Sequence, residues 1–316
     1  MHRRGFIRDL TALALGSSWT SESTKSAGAA ACALARPASI IRPALLWSDE
    51  FDALNLSSPT RPGTWRPNEA WQDLTVGYHD FAGDSWNVNP NQAGFEGFSP
   101  FSVDGTLTIT NRTVPPPLIP VIRSSLDAAG HPNLPVPRRM GGMLITDPDI
   151  RSFRYGYFEV RVRFPVRGRG MFPAIWLFRD RPEGEQDKKA QAEIDLFEVF
   201  GESDGRPYHA TLHRRDYRSV GDTYSVSPQT GERVADAGMW HVIGLDWQPG
   251  AITFLRDHTV LNRIEGEWAT WFDQSMSIRM NYAADGHGFG RNRTDESTPE
   301  RLTMEIDYIR VYDRRV

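Results

Sequence analysis

Along this chain apolar residues alternate with polar ones far more often than they recur at helical spacing. From Tyr155 to Phe164, the residues Phe158, Val160, Val162 and Phe164 share one side, with Glu159, Arg161 and Arg163 between them. That period of two marks a half-buried strand. The runs His241–Trp247 and Ala251–Leu255 are split by Gln248-Pro249-Gly250, which predicts a hairpin. Ser102 to Thr110 reads as a strand entered through the Asp104-Gly105 turn, and Leu302 to Tyr312 as another, with Met304, Ile306 and Tyr308 in phase. A further segment opens at Leu45-Leu46-Trp47, so both ends of residues 44–316 contribute strands. The pattern predicts no amphipathic helix and no internal repeat, and residues 65–100 and 113–138 read as long irregular loops. Together these features predict a single all-β sandwich, with binding sites on its loops.

Composition narrows the picture. Ten Trp, 27 Gly and 22 Pro among 316 residues suit many short elements joined by turns. A net charge of −4 removes the electrostatic case for nucleic acid or anionic lipid. No apolar run approaches the ~18 residues of a membrane-spanning helix. His2-Arg3-Arg4-Gly5-Phe6, a short apolar stretch from Leu10 to Leu15 and Ala33-Leu34-Ala35 resemble a twin-arginine export signal over residues 1–35. A Pro-containing linker follows at residues 36–43, and a secreted or periplasmic monomer is expected. The single cysteine, Cys32, lies within that signal, so the exported protein would rely on a large core instead of disulfides.

Candidate chemistry concentrates in Gln191-Ala192-Glu193-Ile194-Asp195-Leu196-Phe197-Glu198-Val199-Phe200. As a helix this segment scatters its apolar residues around the whole circumference. As a strand it places Glu193 and Asp195 on one face, and a single β-bulge near Phe197 brings Glu198 onto that face too. Three acids on one face repel each other, which suits a reaction needing carboxyl groups in opposite protonation states. Four effective strand steps of ~3.3 Å separate the Glu193 and Glu198 backbones by ~13 Å, and converging side chains reduce this to several ångströms. That range includes the ~5–5.5 Å of retaining glycosidases without excluding an inverting separation. A calcium site is the rival use of such a cluster.

The segment Glu193-Ile194-Asp195-Leu196-Phe197-Glu198 resembles the E-x-D-x-x-E signature of glycoside hydrolase family 16 in its bulged form. Trp47-Ser48-Asp49-Glu50-Phe51 is similar to that family's opening strand, and Tyr155-Gly156-Tyr157-Phe158-Glu159 to its YGyfE segment. Gly170-Met171-Phe172-Pro173-Ala174-Ile175-Trp176-Leu177 resembles GxWPAfWL, and Asp307-Tyr308-Ile309-Arg310-Val311-Tyr312 resembles the terminal DyVRVY. The resemblance implies a β-jelly-roll of two curved antiparallel sheets with a sugar-binding cleft on the concave face. It implies Glu193 as nucleophile, Glu198 as general acid/base and Asp195 as their intermediary. It places Trp176 and Asn281 in the cleft, and His213 near its leaving-group side. Phe172 stands where the family has Trp, and can stack on a sugar without donating an indole N–H bond.

Trp71 and Trp86, in the polar irregular region, are further candidate sugar platforms. A structural calcium at Glu50 and Asp307 is implied by the resemblance, and no organic cofactor is. The expectation is a secreted, endo-acting, retaining enzyme on a β-1,3- or mixed β-1,3/1,4-glucan. The alternatives are an exopolysaccharide depolymerase, a transglycosylase, or a non-catalytic glycan-binding protein.

Overall fold

The computed structural model describes residues 43–80, 85–166, 168–180, 189–201, 208–216, 222–225, 238–284 and 293–315. The expected export signal, Cys32 and nearly all of the linker lie outside them. In chain order the described elements begin with β1 (Leu45–Asp49), β2 (Trp65–Arg66), β3 (Tyr78–Asp80), β4 (Ser85–Asn87), β5 (Phe101–Val103), β6 (Leu107–Thr113) and α1 (Ile119–Ala128). Next come β7 (Arg139–Gly141), β8 (Met143–Thr146), β9 (Gly156–Arg163), β10 (Met171–Phe178), β11 (Lys189–Glu198), β12 (His209–Asp216) and β13 (Asp222–Ser225). The last are β14 (Trp240–Gln248), β15 (Ala251–Arg256), β16 (Thr259–Glu265), α2 (Glu267–Trp271), β17 (Ser277–Ala284) and β18 (Arg301–Tyr312).

These strands form two sheets. The larger has the order β16-β15-β14-β9-β18-β6-β7-β4-β3, with β1 on β18 and β5 on β6. The smaller runs β13-β12-β11-β10-β17-β8-β2 and carries the acidic segment near its middle. Pairing is antiparallel throughout except between β4 and β7. As expected, β14 and β15 close into a hairpin, with Gln248 opposite Ala251, and β1 joins the last strand.

Alternation decides which side chains lie between the sheets. Phe158, Val160 and Val162 of β9 and Ile243, Leu245 and Trp247 of β14 meet Ile175, Leu177, Ile194 and Ile278 of the smaller sheet in one core. Each such side chain contributes about 1.5–3 kcal/mol when fully buried. Trp247 keeps its indole satisfied inside the core by donating Nε1–H to the Phe272 carbonyl oxygen at 2.7 Å. Where β7 crosses β17, only glycine fits: a Cβ on Gly141 would stand 2.0 Å from the Tyr282 carbonyl oxygen.

The structure departs from the alternation in three places. On β18, Leu302, Met304 and Ile306 are buried, but the ladder to β9 slips between Ile306 and Tyr308. Asp307 is the extra residue, so Ile309 and Val311 take the core, and Tyr308 turns away to donate its O–H to Glu159 Oε1 at 2.9 Å. Secondly, residues 113–138 contain a helix. Pro120 is tolerated in the first turn of α1, Ile122 and Leu126 bury at i,i+4 spacing, and Arg123 pairs with Asp127 at 2.8 Å. Thirdly, residues 65–100 contribute the short strands β2, β3 and β4 and a second apolar cluster beneath α1.

Candidate active site

The register of β11 against both neighbours locates the bulge. Glu193 faces Phe178 and His213, Asp195 faces Trp176 and Thr211, and Glu198 faces Ala174 and His209. Each neighbour takes four steps where β11 takes five, so one residue at Leu196–Phe197 is extra. Both of those side chains go into the core, where Phe197 stacks on Tyr208 at 5.5 Å and tilts against Phe164 at 5.1 Å. The bulge therefore lets two consecutive apolar residues anchor the strand while all three acids face the cleft. The four steps on each neighbouring strand also support the ~13 Å backbone spacing expected from ~3.3 Å per residue.

Carboxyl and imidazole atoms of Glu193, Asp195 and His213 lie within 4.8 Å of one another. His213 Nε2 is 3.1 Å from Asp195 Oδ2, and Thr211 Oγ1–H donates to Glu198 Oε2 at 3.3 Å. Burial, followed by the charges of Asp195 and Glu193, pushes the Glu198 carboxyl well above its usual range; His213 and the Thr211 hydrogen bond pull the other way. Burial and then the Glu193 charge likewise push Asp195 up. A protonated Glu198 can serve as an acid. A protonated Asp195 can donate to its carboxylate neighbour and hold one negative charge on the trio.

The acids open into a cleft of about 1070 Å³. Trp176, Phe172, His213 and Asn281 all line it, as expected. Trp176 donates Nε1–H to Asn281 Oδ1 at 2.7 Å, which fixes the indole on the cleft floor. Phe172 is buried and stacks on Phe200, with ring centroids 5.0 Å apart. Trp71 is 67% exposed at the cleft, as a sugar platform requires. Trp86 corrects its expectation: it borders the cleft but is only 2% exposed and stacks on Phe95, so it is core beneath α1. Polar loop residues around an aromatic do not reveal that a distant helix will cover it. Sequence reasoning also missed Thr211, Glu69, Tyr78 and the α1 residues Ser124 and Ser125 as cleft residues. The i,i+4 pair Ile122 and Leu126 was the available signal for α1.

The calcium expectation at Glu50 and Asp307 does not fit the residues present. Glu50 receives Arg310 Nε–H at 3.0 Å and Nη2–H at 2.7 Å, and Asp307 is paired with Arg161. Each carboxylate is already paired with a guanidinium. Among the described residues the one metal-like grouping is Glu193, Asp195 and His213, which is the acidic site itself.

Comparison with known proteins agrees with this geometry. The model of the glycosyl hydrolases family 16 matches residues 122–310, and the chain belongs to that family. It is 34% identical over 175 residues to a beta-glucanase from Rhodothermus marinus, covering 51% of this chain and 58% of the relative. It is 28% identical over 268 residues to an endo-1,3-1,4-beta-glycanase from Rhizobium meliloti, covering 84% of this chain and 51% of the relative. The chain thus spans little more than half the length of these relatives. The X-ray structure of the laminarinase from Rhodothermus marinus superposes with a TM-score of 0.61 at 26% identity, covering 87% of this chain and 99% of that one. The two sheets are accordingly the β-jelly-roll of this family, as expected.

Proposed function

We propose that this protein is an endo-acting, retaining glycoside hydrolase that cleaves a β-1,3- or mixed β-1,3/1,4-glucan. The observation that carries the reading is the bulged β11, which sets Glu193, Asp195 and Glu198 on one cleft-facing side at a four-step spacing. Glu193 attacks the anomeric carbon while Glu198 gives its proton to the leaving glycosidic oxygen, so a covalent glycosyl-enzyme forms as the C–O bond breaks. Glu198, now a carboxylate, takes a proton from water. That water attacks the same carbon and releases Glu193 with net retention. Asp195 tunes the charge on Glu193, and His213 borders the pair.

Similarity to an endo-1,3-1,4-beta-glycanase over 84% of the chain favours a second substrate, a bacterial exopolysaccharide with such linkages. The Arg3-Arg4 segment and Ala33-Leu34-Ala35 support export, and we infer a monomer that acts outside the cytoplasm on polysaccharide. Retention is tested by proton NMR of a freshly started β-glucan digest. The β-anomer should appear first and the α-anomer only by mutarotation. An initial α-product would mean inversion and remove the role assigned to Glu193.

A further inference from the structure

On the cleft-facing side of the smaller sheet, β17 sets Arg279 opposite Trp176, in the same cross-strand row as Asp195. Arg279 is 1% exposed, where an unpaired guanidinium could not remain. Nη1–H donates to Glu69 Oε2 at 2.6 Å, and Nη2–H donates to Asp180 Oδ1. Glu69 follows β2 and lines the cleft, whereas Asp180 follows β10 and is buried. The guanidinium carbon lies 4.8 Å from the Trp176 ring centroid and 4.5 Å from that of Phe178. Trp176 meets Phe178 edge-on at 5.6 Å, and its Nε1–H is held by Asn281. The indole is thus held by a cation, a neighbouring ring and an amide, and still borders the cleft.

Stability is a weak explanation for this trio. Desolvating charged groups costs several kcal/mol per ion, and well-packed apolar residues commonly do as well. Nor is the cation free to bind an acidic sugar, because two carboxylates already occupy it. What a planar guanidinium adds is geometry: it joins carboxylates from two separate segments while lying against two rings.

We propose that Arg279 is a positioning residue for polysaccharide binding, holding the Trp176 indole and the Glu69 segment in the arrangement that meets the sugar. This rests on reading the trough as a β-glycan cleft. Arg279→Lys keeps the charge but cannot bridge both carboxylates and lie against both rings. It should raise KM for a long β-1,3-gluco-oligosaccharide about tenfold, the scale of one lost cation–π contact together with the bridge between the two carboxylates, and change kcat far less. If Arg279→Lys fails to fold, the double variant Arg279→Met with Asp180→Asn removes the clamp with less buried charge left unpaired, and the same split is expected. Circular dichroism measures the folded fraction in each preparation. An unchanged KM, or a rate loss that only follows the folded fraction, overturns the proposal while the wild type remains an active glucanase. A wild type that cleaves no β-glycan overturns the functional reading itself, and this inference with it.

Discussion

Glu198→Gln separates the two jobs assigned to Glu198. The amide keeps the shape of the side chain and can stay beside Thr211, whose O–H reaches Glu198 Oε2 at 3.3 Å. It has no proton to give to a leaving sugar, and positioned acid catalysis contributes roughly 10²–10⁴-fold. Activity on natural polysaccharide should fall by about that factor, whereas an aryl glycoside with an activated leaving group should still complete the first step. The glycosyl-enzyme then accumulates, because the second step lacks its base. Azide needs no base and should restore turnover as a β-azide. The same substitution should stabilise the fold. In the folded protein the Glu198 pKa lies above its ordinary 4.5, so the group contributes stability below that pH, which is lost as pH rises through the folded value. The Tm difference between variant and wild type should therefore be small in acid and grow toward neutral and alkaline pH. Each tenfold of altered proton affinity adds ~1.4 kcal/mol to that difference. Wild-type activity should decline over the same range, because the acid form of Glu198 is the one that works. Equal losses on both substrates, no response to azide and a pH-independent Tm difference would refute the assignment.

Two further outcomes test the architecture. Trp86→Ala should cost about 3–5 kcal/mol in urea unfolding, as a buried aromatic of the cluster beneath α1, while Trp71→Ala should leave unfolding unchanged and weaken glucan binding. Deleting Leu196 should straighten β11 with Glu193, Asp195 and Glu198 still on one face, at a stability cost of about 2–5 kcal/mol for the lost core side chain. Activity per folded molecule should survive that deletion, and its loss would show that the bulge itself sets the carboxyl geometry.

Much of this protein is determined locally and so is legible in its sequence. Alternation marks β9, β14 and β15 because each sends one face into the shared core, and the Pro249-Gly250 turn closes its hairpin between adjacent residues. The acidic face of β11 was legible for the same reason: with one bulge, the three acids sort onto one side and Ile194, Leu196 and Val199 onto the other, while the structure adds Phe197 to the core. Where side chains go beyond their own strand, the sequence was silent. Trp71 and Trp86 sit in similar polar surroundings, yet α1 and Phe95 cover one and leave the other exposed. Glu50 and Asp307 offered two carboxylates to a metal, and their charges were met by Arg310 and Arg161. Arg279 was one unremarked basic residue until β10 and the segment after β2 brought Asp180 and Glu69 to it. Periodicity records which face of an element avoids water. Partners distant in the chain are chosen by how the sheets curve and pack, and that choice leaves no periodic trace.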